Sequence, residues 1–186
     1  MGRVSQVQAQ ENRQRVVATA ARMFREQGTG VSVVDVMKAA GLTHGGFYKQ
    51  FASKDALVGE ATARAFAELE GRRTQAVAAH GGQYDAGRQA LIDWYLSTGH
   101  RDDAADGCAA AGLAVDMARE AGDSAAHRVY VDSVGEFAEW LAGEGEDGLV
   151  CLATMVGALL LARATHGSPL SDEILRAAHE AVSESD

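Results

Sequence analysis

The stretch from Val33 to Leu57, VVDVMKAAGLTHGGFYKQFASKDAL, concentrates side chains able to make directed contacts with another molecule. Lys49 and Gln50 carry donors suited to base edges in a DNA groove, His44 can donate or accept, and the Tyr48 hydroxyl suits a phosphate oxygen. Lys54 follows Ser53 at a helix start, where its ammonium and the helix N-terminus would both favour a phosphate. Gly45 and Gly46 are poor helix formers, each costing on the order of 1 kcal/mol relative to alanine in a helix interior. At a helix start that cost shrinks, and the missing side chains let backbone come close to a duplex. The chemistry in prospect is non-covalent recognition of a polyanion. The alternatives are that His44 only caps or packs and that the lysines are simply solvated.

Covalent chemistry has weaker support. His80, His100, His127, His166 and His179 are scattered, and no His-Glu-x-x-His or phosphate-binding glycine loop occurs, so no enzyme, metal site or cofactor is expected. Cys108 follows Gly107 at an expected helix start, where the helix dipole can lower a thiol pKa; a redox- or electrophile-sensing role is one reading, a small buried hydrophobe the other. Cys108 and Cys151 lie too far apart in sequence to suggest a disulfide scaffold or a zinc framework.

Charge divides the chain in two. Residues 1–57 hold eight Lys and Arg against four Asp and Glu, whereas residues 58–186 hold nine against 22, giving +4 and −13 within a net −9. All three lysines, Lys38, Lys49 and Lys54, lie in the first part. A basic head on an acidic body directs one end towards a polyanion and holds the other away from it. The 186 residues, 47% hydrophobic and 23% charged, suit an ordinary globular protein with a real core. With no span long enough for a bilayer, the expected location is cytoplasmic, with no membrane partner.

The elements that would position these groups are all helical. Val16, Val17, Ala20, Ala21 and Phe24 recur at helical spacing and stop at Gly28; Ser32 and Asp35 suit a capping box; Gly41 suits a left-handed turn. Thr43 can cap a helix from His44 to Phe51, and Ser53 a long one continuing to about Ala79. Further helices are expected over about 84–98, 108–121, 124–142, 148–166 and 171–182, about nine in all. Val36, Ala40, Leu42, Phe47 and Phe51 would close a helix-turn-helix against Val17 and Phe24, with its second helix free to enter a major groove. The expected fold is thus all-α, with a flexible tail at 1–9, a three-helix head at 10–57 and a helical body at 58–186.

The spacing of Ala20, Ala21, Phe24, Gly28, Ala40, Gly41, Gly45, Phe47, Tyr48, Phe51, Lys54 and Leu57 resembles the DNA-binding domain of the TetR family of one-component transcriptional regulators, over about residues 11–60. The resemblance implies that Thr43, His44, Gly45, Gly46, Tyr48, Lys49 and Gln50 form the recognition helix surface, with Tyr48 and Lys54 clamping the backbone of double-stranded operator DNA. Gly46 departs from the small hydroxyl residue common at its position, which leaves one phosphate contact unaccounted for.

The same resemblance implies an effector cavity and a homodimer in the body, hence a repressor released from a palindromic operator by a small molecule. Trp94, Tyr95, Cys108, Met117, Tyr130, Phe137 and Met155 are the candidate pocket residues, each of which could instead be plain core. The run LVCLATMVGALLLA, 149–162, is apolar on nearly every face and must be covered all round, by a second subunit or by the chain itself. Leu152, Val156, Leu159, Leu160, Arg163, Leu175, Ala178 and Val182 are the candidate interface residues. A helical protein-interaction module would leave the basic head unexplained.

Overall fold

The computed structural model describes residues 6–120, 122–143 and 147–183, and every regular element among them is helical. The expected tail at 1–9 divides: residues 1–5 lie outside the described residues, while α1 (Gln6–Gln27) already includes 6–9. Val16, Ala20, Ala21 and Phe24 bury one face of α1, and Gly28, at φ +83°, ends it. The Ser32 hydroxyl oxygen accepts from the Asp35 N–H at 3.1 Å to cap α2 (Val33–Ala39). The reciprocal half of the expected capping box differs, because the Ser32 hydroxyl donates to the Asp35 carboxylate at 2.6 Å. Gly41, at φ +73°, then turns the chain in a conformation that a Cβ would strain.

The segment expected as a helix from His44 to Phe51 is a 3₁₀ helix over His44–Lys49. Its bonds run three residues back, from the Gly46 N–H to Thr43 O at 3.0 Å and from the Gln50 N–H to Phe47 O at 2.8 Å. Thr43 has extended backbone but makes no side-chain cap bond. Two successive glycines and an unmade cap weaken α propagation here, and the buried Phe47 and Phe51, stacked with centroids 5.3 Å apart, hold the turn to the head's core.

Ser53 caps α3 (Lys54–Ala79) by accepting from the Ala56 N–H at 3.1 Å. At 1.5 Å per residue this 26-residue helix is about 39 Å long. Its first turns bury Leu57, Val58 and Ala61 against the head, and Ala65, Phe66 and Leu69 continue the same face into the body. The boundary expected at residue 57 therefore falls inside one continuous helix.

The body comprises α4 (Tyr84–Tyr95), α5 (Thr98–Asp102), α6 (Ala109–Gly112), α7 (Ala114–Met117), α8 (Ala125–Leu141), α9 (Gly148–Ala164) and α10 (Pro169–Ser183). The helix expected over 108–121 is split into the two short pieces α6 and α7, and Ala121 lies outside the described residues. α5 forms in a stretch expected as loop because the Ser97 hydroxyl caps the His100 N–H. α3 packs on α4 and α8, α8 on α9, and α9 on α10. No helix among the described residues is long and apolar enough to cross a membrane.

Two glycines inside helices mark where backbones meet. A Cβ at Gly87 would lie 2.6 Å from Val77 Cα, and one at Gly112 would lie 3.0 Å from Arg25 O. A Gly87→Ala chain is expected to lose roughly 1–3 kcal/mol of stability through this overpacking. Urea denaturation measures it; an unshifted midpoint would mean that α3 and α4 can part without cost.

Candidate nucleic-acid interface

Two buried anchors fix the 3₁₀ segment and push the intervening side chains outward. Phe47 is fully buried and Phe51 nearly so, whereas Tyr48 between them is 71% exposed. Tyr48 stands edge-on to both Phe47 and His44, with centroids 5.1 and 6.2 Å away. Thr43, His44, Gly45 and Lys49 are exposed; Gly46, Gln50 and Lys54 are partly covered. A Cβ at Gly45 would meet nothing within 4 Å, and one at Gly46 would only touch Met37 Cε at 3.7 Å. The protein's own packing would thus admit a small side chain at either position.

Behind this surface, Arg13 braces the turn. Its guanidinium donates to the Glu60 carboxylate at 2.6 Å and to Gln50 O at 3.4 Å, and lies 4.8 Å from the Phe51 ring centroid. Arg22 pairs with Asp106 and Arg25 with Glu68, so these head arginines are neutralised by acids. Among the described residues no acid pairs with Lys38, Lys49 or Lys54, leaving their charge unneutralised by the protein's own acids.

The candidate pocket residues gather in the body, mostly as packed core. Tyr95, Cys108, Met117, Phe137 and Met155 are almost wholly buried. Tyr130 donates its hydroxyl to Ala110 O at 2.6 Å and meets Phe66 edge-on. Phe137 borders a cleft of about 150 Å³ between α3 and α8 that also takes in Phe66, Arg73 and Ser133. Trp94 borders a second, of about 190 Å³, with Arg25, Glu68, Leu69, Arg72, Asp106 and Gly107. Sequence reading missed the arginines of both clefts. Arg25 carried a legible signal, since it follows Val17 and Ala21 on the apolar stripe of α1.

The expectation of a lowered Cys108 pKa is overturned. The residue is 1% exposed, and burial pushes the thiol up despite the nearby backbone N–H groups at the start of α6. The helix it opens has four residues, too short for a strong dipole, and the thiol is held in its protonated, weakly nucleophilic form. Its backbone N–H donates at 2.9 Å to Nε2 of His100, whose Nδ1–H donates at 2.7 Å to Tyr95 O. Both ring nitrogens are used in the neutral form, and burial lowers the His100 pKa to about 4.

The interface residues expected on α9 and α10 differ in how far the chain itself covers them. Leu152, Leu159, Leu175, Ala178 and Val182 are buried by their own chain, and Arg163 turns inward to donate to Arg101 O and His100 O, both at 3.0 Å. Val156 and Leu160 are half-buried. The outward stripe of α9 is instead Val150, Ala153, Gly157 and Leu161, with Leu149 beside it and Leu170 and Ala177 on α10. An all-apolar helix has no polar side to mark its outer face in the sequence.

Residues 16–61 match the family of bacterial regulatory proteins, tetR family, and this segment spans the helix-turn-helix just described. The whole chain has the fold of solved TetR-family transcriptional regulators. One from Chloroflexus aurantiacus is 24% identical, with a TM-score of 0.77 over 96% of this chain and 95% of that one. A regulator from Cytophaga hutchinsonii is 20% identical, with a TM-score of 0.75 over 98% of each. The reduced form of Escherichia coli NemR is also 20% identical, with a TM-score of 0.76 over 93% of this chain and 96% of that one. Comparison with curated proteins finds no match. Residues 16–61 thus match the helix-turn-helix segment of the tetR family, and the whole chain shares the fold of these regulators.

Proposed function

We propose that the protein is a homodimeric repressor that binds a palindromic DNA operator and is released by a small molecule bound in its helical body. The observation that carries this reading is the projecting segment Thr43–Gln50, seated on buried Phe47 and Phe51, with Lys38, Lys49 and Lys54 close in sequence and unpaired with any acid among the described residues. In this reading Lys49, Gln50 and His44 face base edges, while Tyr48, Thr43 and Lys54 hold phosphates, with backbone at Gly45 and Gly46 in close approach. The acidic body faces away from the duplex. The exposed apolar stripe of α9 with α10 supports a two-fold, four-helix interface, which would set two recognition segments one DNA turn or a multiple apart.

Release follows from linkage: the effector must prefer the arrangement that cannot span the operator, and α3, shared by head and body, is the element it would move. The test is a mobility shift with duplex DNA from upstream of the protein's own gene. Wild type is expected to bind it with a steep salt dependence. Tyr48→Ala and Lys54→Ala are each expected to weaken binding roughly tenfold, about 1.4 kcal/mol, without changing thermal stability. Salt-insensitive binding, or no loss in either variant, would remove the reading.

A further inference from the structure

We infer that the cleft between α1, α3 and the turn at 103–107 is a binding site for a small aromatic carboxylate, held by Arg25 and Arg72 against Leu69 and Trp94. Arg25 starts the argument. Its side chain is 1% exposed, yet it belongs to the DNA-binding head. Nε donates to Ala105 O at 2.7 Å and Nη1 pairs with Glu68 Oε2 at 2.8 Å. Nη2 makes no hydrogen bond within the protein, and Asp106 Oδ1, at 3.8 Å, is beyond bonding reach. A buried charged donor left unmade costs about 1–3 kcal/mol or more, so an acceptor entering the cleft at Nη2 would recover that loss.

The charge around the cleft selects an anion. Glu68 already serves Arg64 and Arg25, and Asp106 serves Arg22. Burial alone would raise the Glu68 carboxyl, but the Arg64 and Arg25 hydrogen bonds outweigh it and hold the pKa below its ordinary value. Arg72 has no acidic partner among the described residues and lies over the Trp94 indole, 4.0 Å from its centroid. Arg22, Arg25, Arg64 and Arg72 against Glu68, Asp106 and Asp103, whose charge also acts on Arg22, leave one positive charge over, on a body that is otherwise strongly acidic.

Size and lining narrow the class further. The cleft of about 190 Å³ holds about six times the ~30 Å³ share of one liquid water, enough for a single ring with a carboxylate. Leu69 and Trp94 supply the apolar wall, and a planar carboxylate suits the forked donors of two guanidinium groups. Bare phosphate would satisfy the arginines but leave that wall unused.

The position also offers a route for regulation, and this part rests on the repressor reading. The turn that Arg25 grips continues through Gly107 to Cys108 and its bond to His100. A carboxylate at Nη2 would add an anion beside Glu68 and Asp106 where α1 meets the body, and so alter how the head is seated.

The experiment is calorimetric titration of the full chain with benzoate, repeated with inorganic phosphate. One benzoate per chain is expected to bind saturably, with at least tenfold weaker binding in Arg72→Gln, whose exposed side chain can be changed without disturbing the core, and in Arg25→Lys. Phosphate at the same concentrations is expected not to displace it. Absence of saturable binding, undiminished affinity in R72Q, or displacement by phosphate would overturn the site. DNA binding by the same preparations is scored separately: failure there sinks the repressor reading and leaves benzoate binding standing, while lost benzoate binding with intact DNA binding sinks this inference alone.

Discussion

A Gly157→Glu chain is expected to sediment as a monomer and to bind its operator at least a hundredfold more weakly than the wild type. Gly157 sits mid-stripe on the outward face of α9, between Ala153 and Leu161, and a Cβ there meets nothing within 4 Å. The change therefore asks nothing of the protomer's own packing. Glutamate is a better helix former than glycine by roughly 0.5–1 kcal/mol, so the isolated subunit should be no less stable. In a closed two-fold interface two carboxylates would face each other across desolvated surface. Losing the second head removes the effective-concentration gain of bivalent binding, commonly 10²–10⁴-fold. Analytical ultracentrifugation and a mobility shift on the same sample check both halves. A variant that stays dimeric with unaltered DNA affinity would locate the dimer contact elsewhere.

The second large effect is on acid stability. Burial, reinforced by Arg163 and Arg72, outweighs the Tyr95 carbonyl and Asp103 and lowers the His100 pKa from 6.5 to about 4. The folded protein holds this ring neutral, while the unfolded chain takes up a proton once pH falls below about 6.5. Stability from this group is therefore complete above 6.5, declines as pH falls towards 4, and changes little below that. The full difference corresponds to roughly 3 kcal/mol. Thermal or urea unfolding of the wild type between pH 7 and 4 should show the decline, and His100→Gln should flatten it whatever its baseline stability. A wild-type curve level through that window would mean that the ring can be protonated in place, contrary to its bonds with Cys108 N–H and Tyr95 O.

Some of this was legible one residue at a time. Ser32 and Ser53 cap helices, Gly28 and Gly41 take positive φ, and Phe24, Phe47 and Phe51 are core, because each depends on its neighbours in sequence or on a helical period. The head came through best since its twelve spaced positions constrain one another. The same local rules misjudged His44–Phe51 as an α-helix and 108–121 as one helix, where 3₁₀ bonding and a break after Gly112 occur instead. At Gly112 a long-range contact intervenes: α1 passes so close that a Cβ would lie 3.0 Å from Arg25 O.

Amino-acid order was thus enough for an all-helical chain with a basic, glycine-led segment built to project from a small core. Folding in three dimensions settled matters that depend on partners distant along the chain: which side of α9 stays outside, why Cys108 is a quiet thiol, and how Arg25 comes to be enclosed by Glu68 and Ala105, 43 and 80 positions further on. The physical reason is that helical caps and periods act over a few residues, whereas desolvation and ion pairing depend on whatever the packed chain brings alongside.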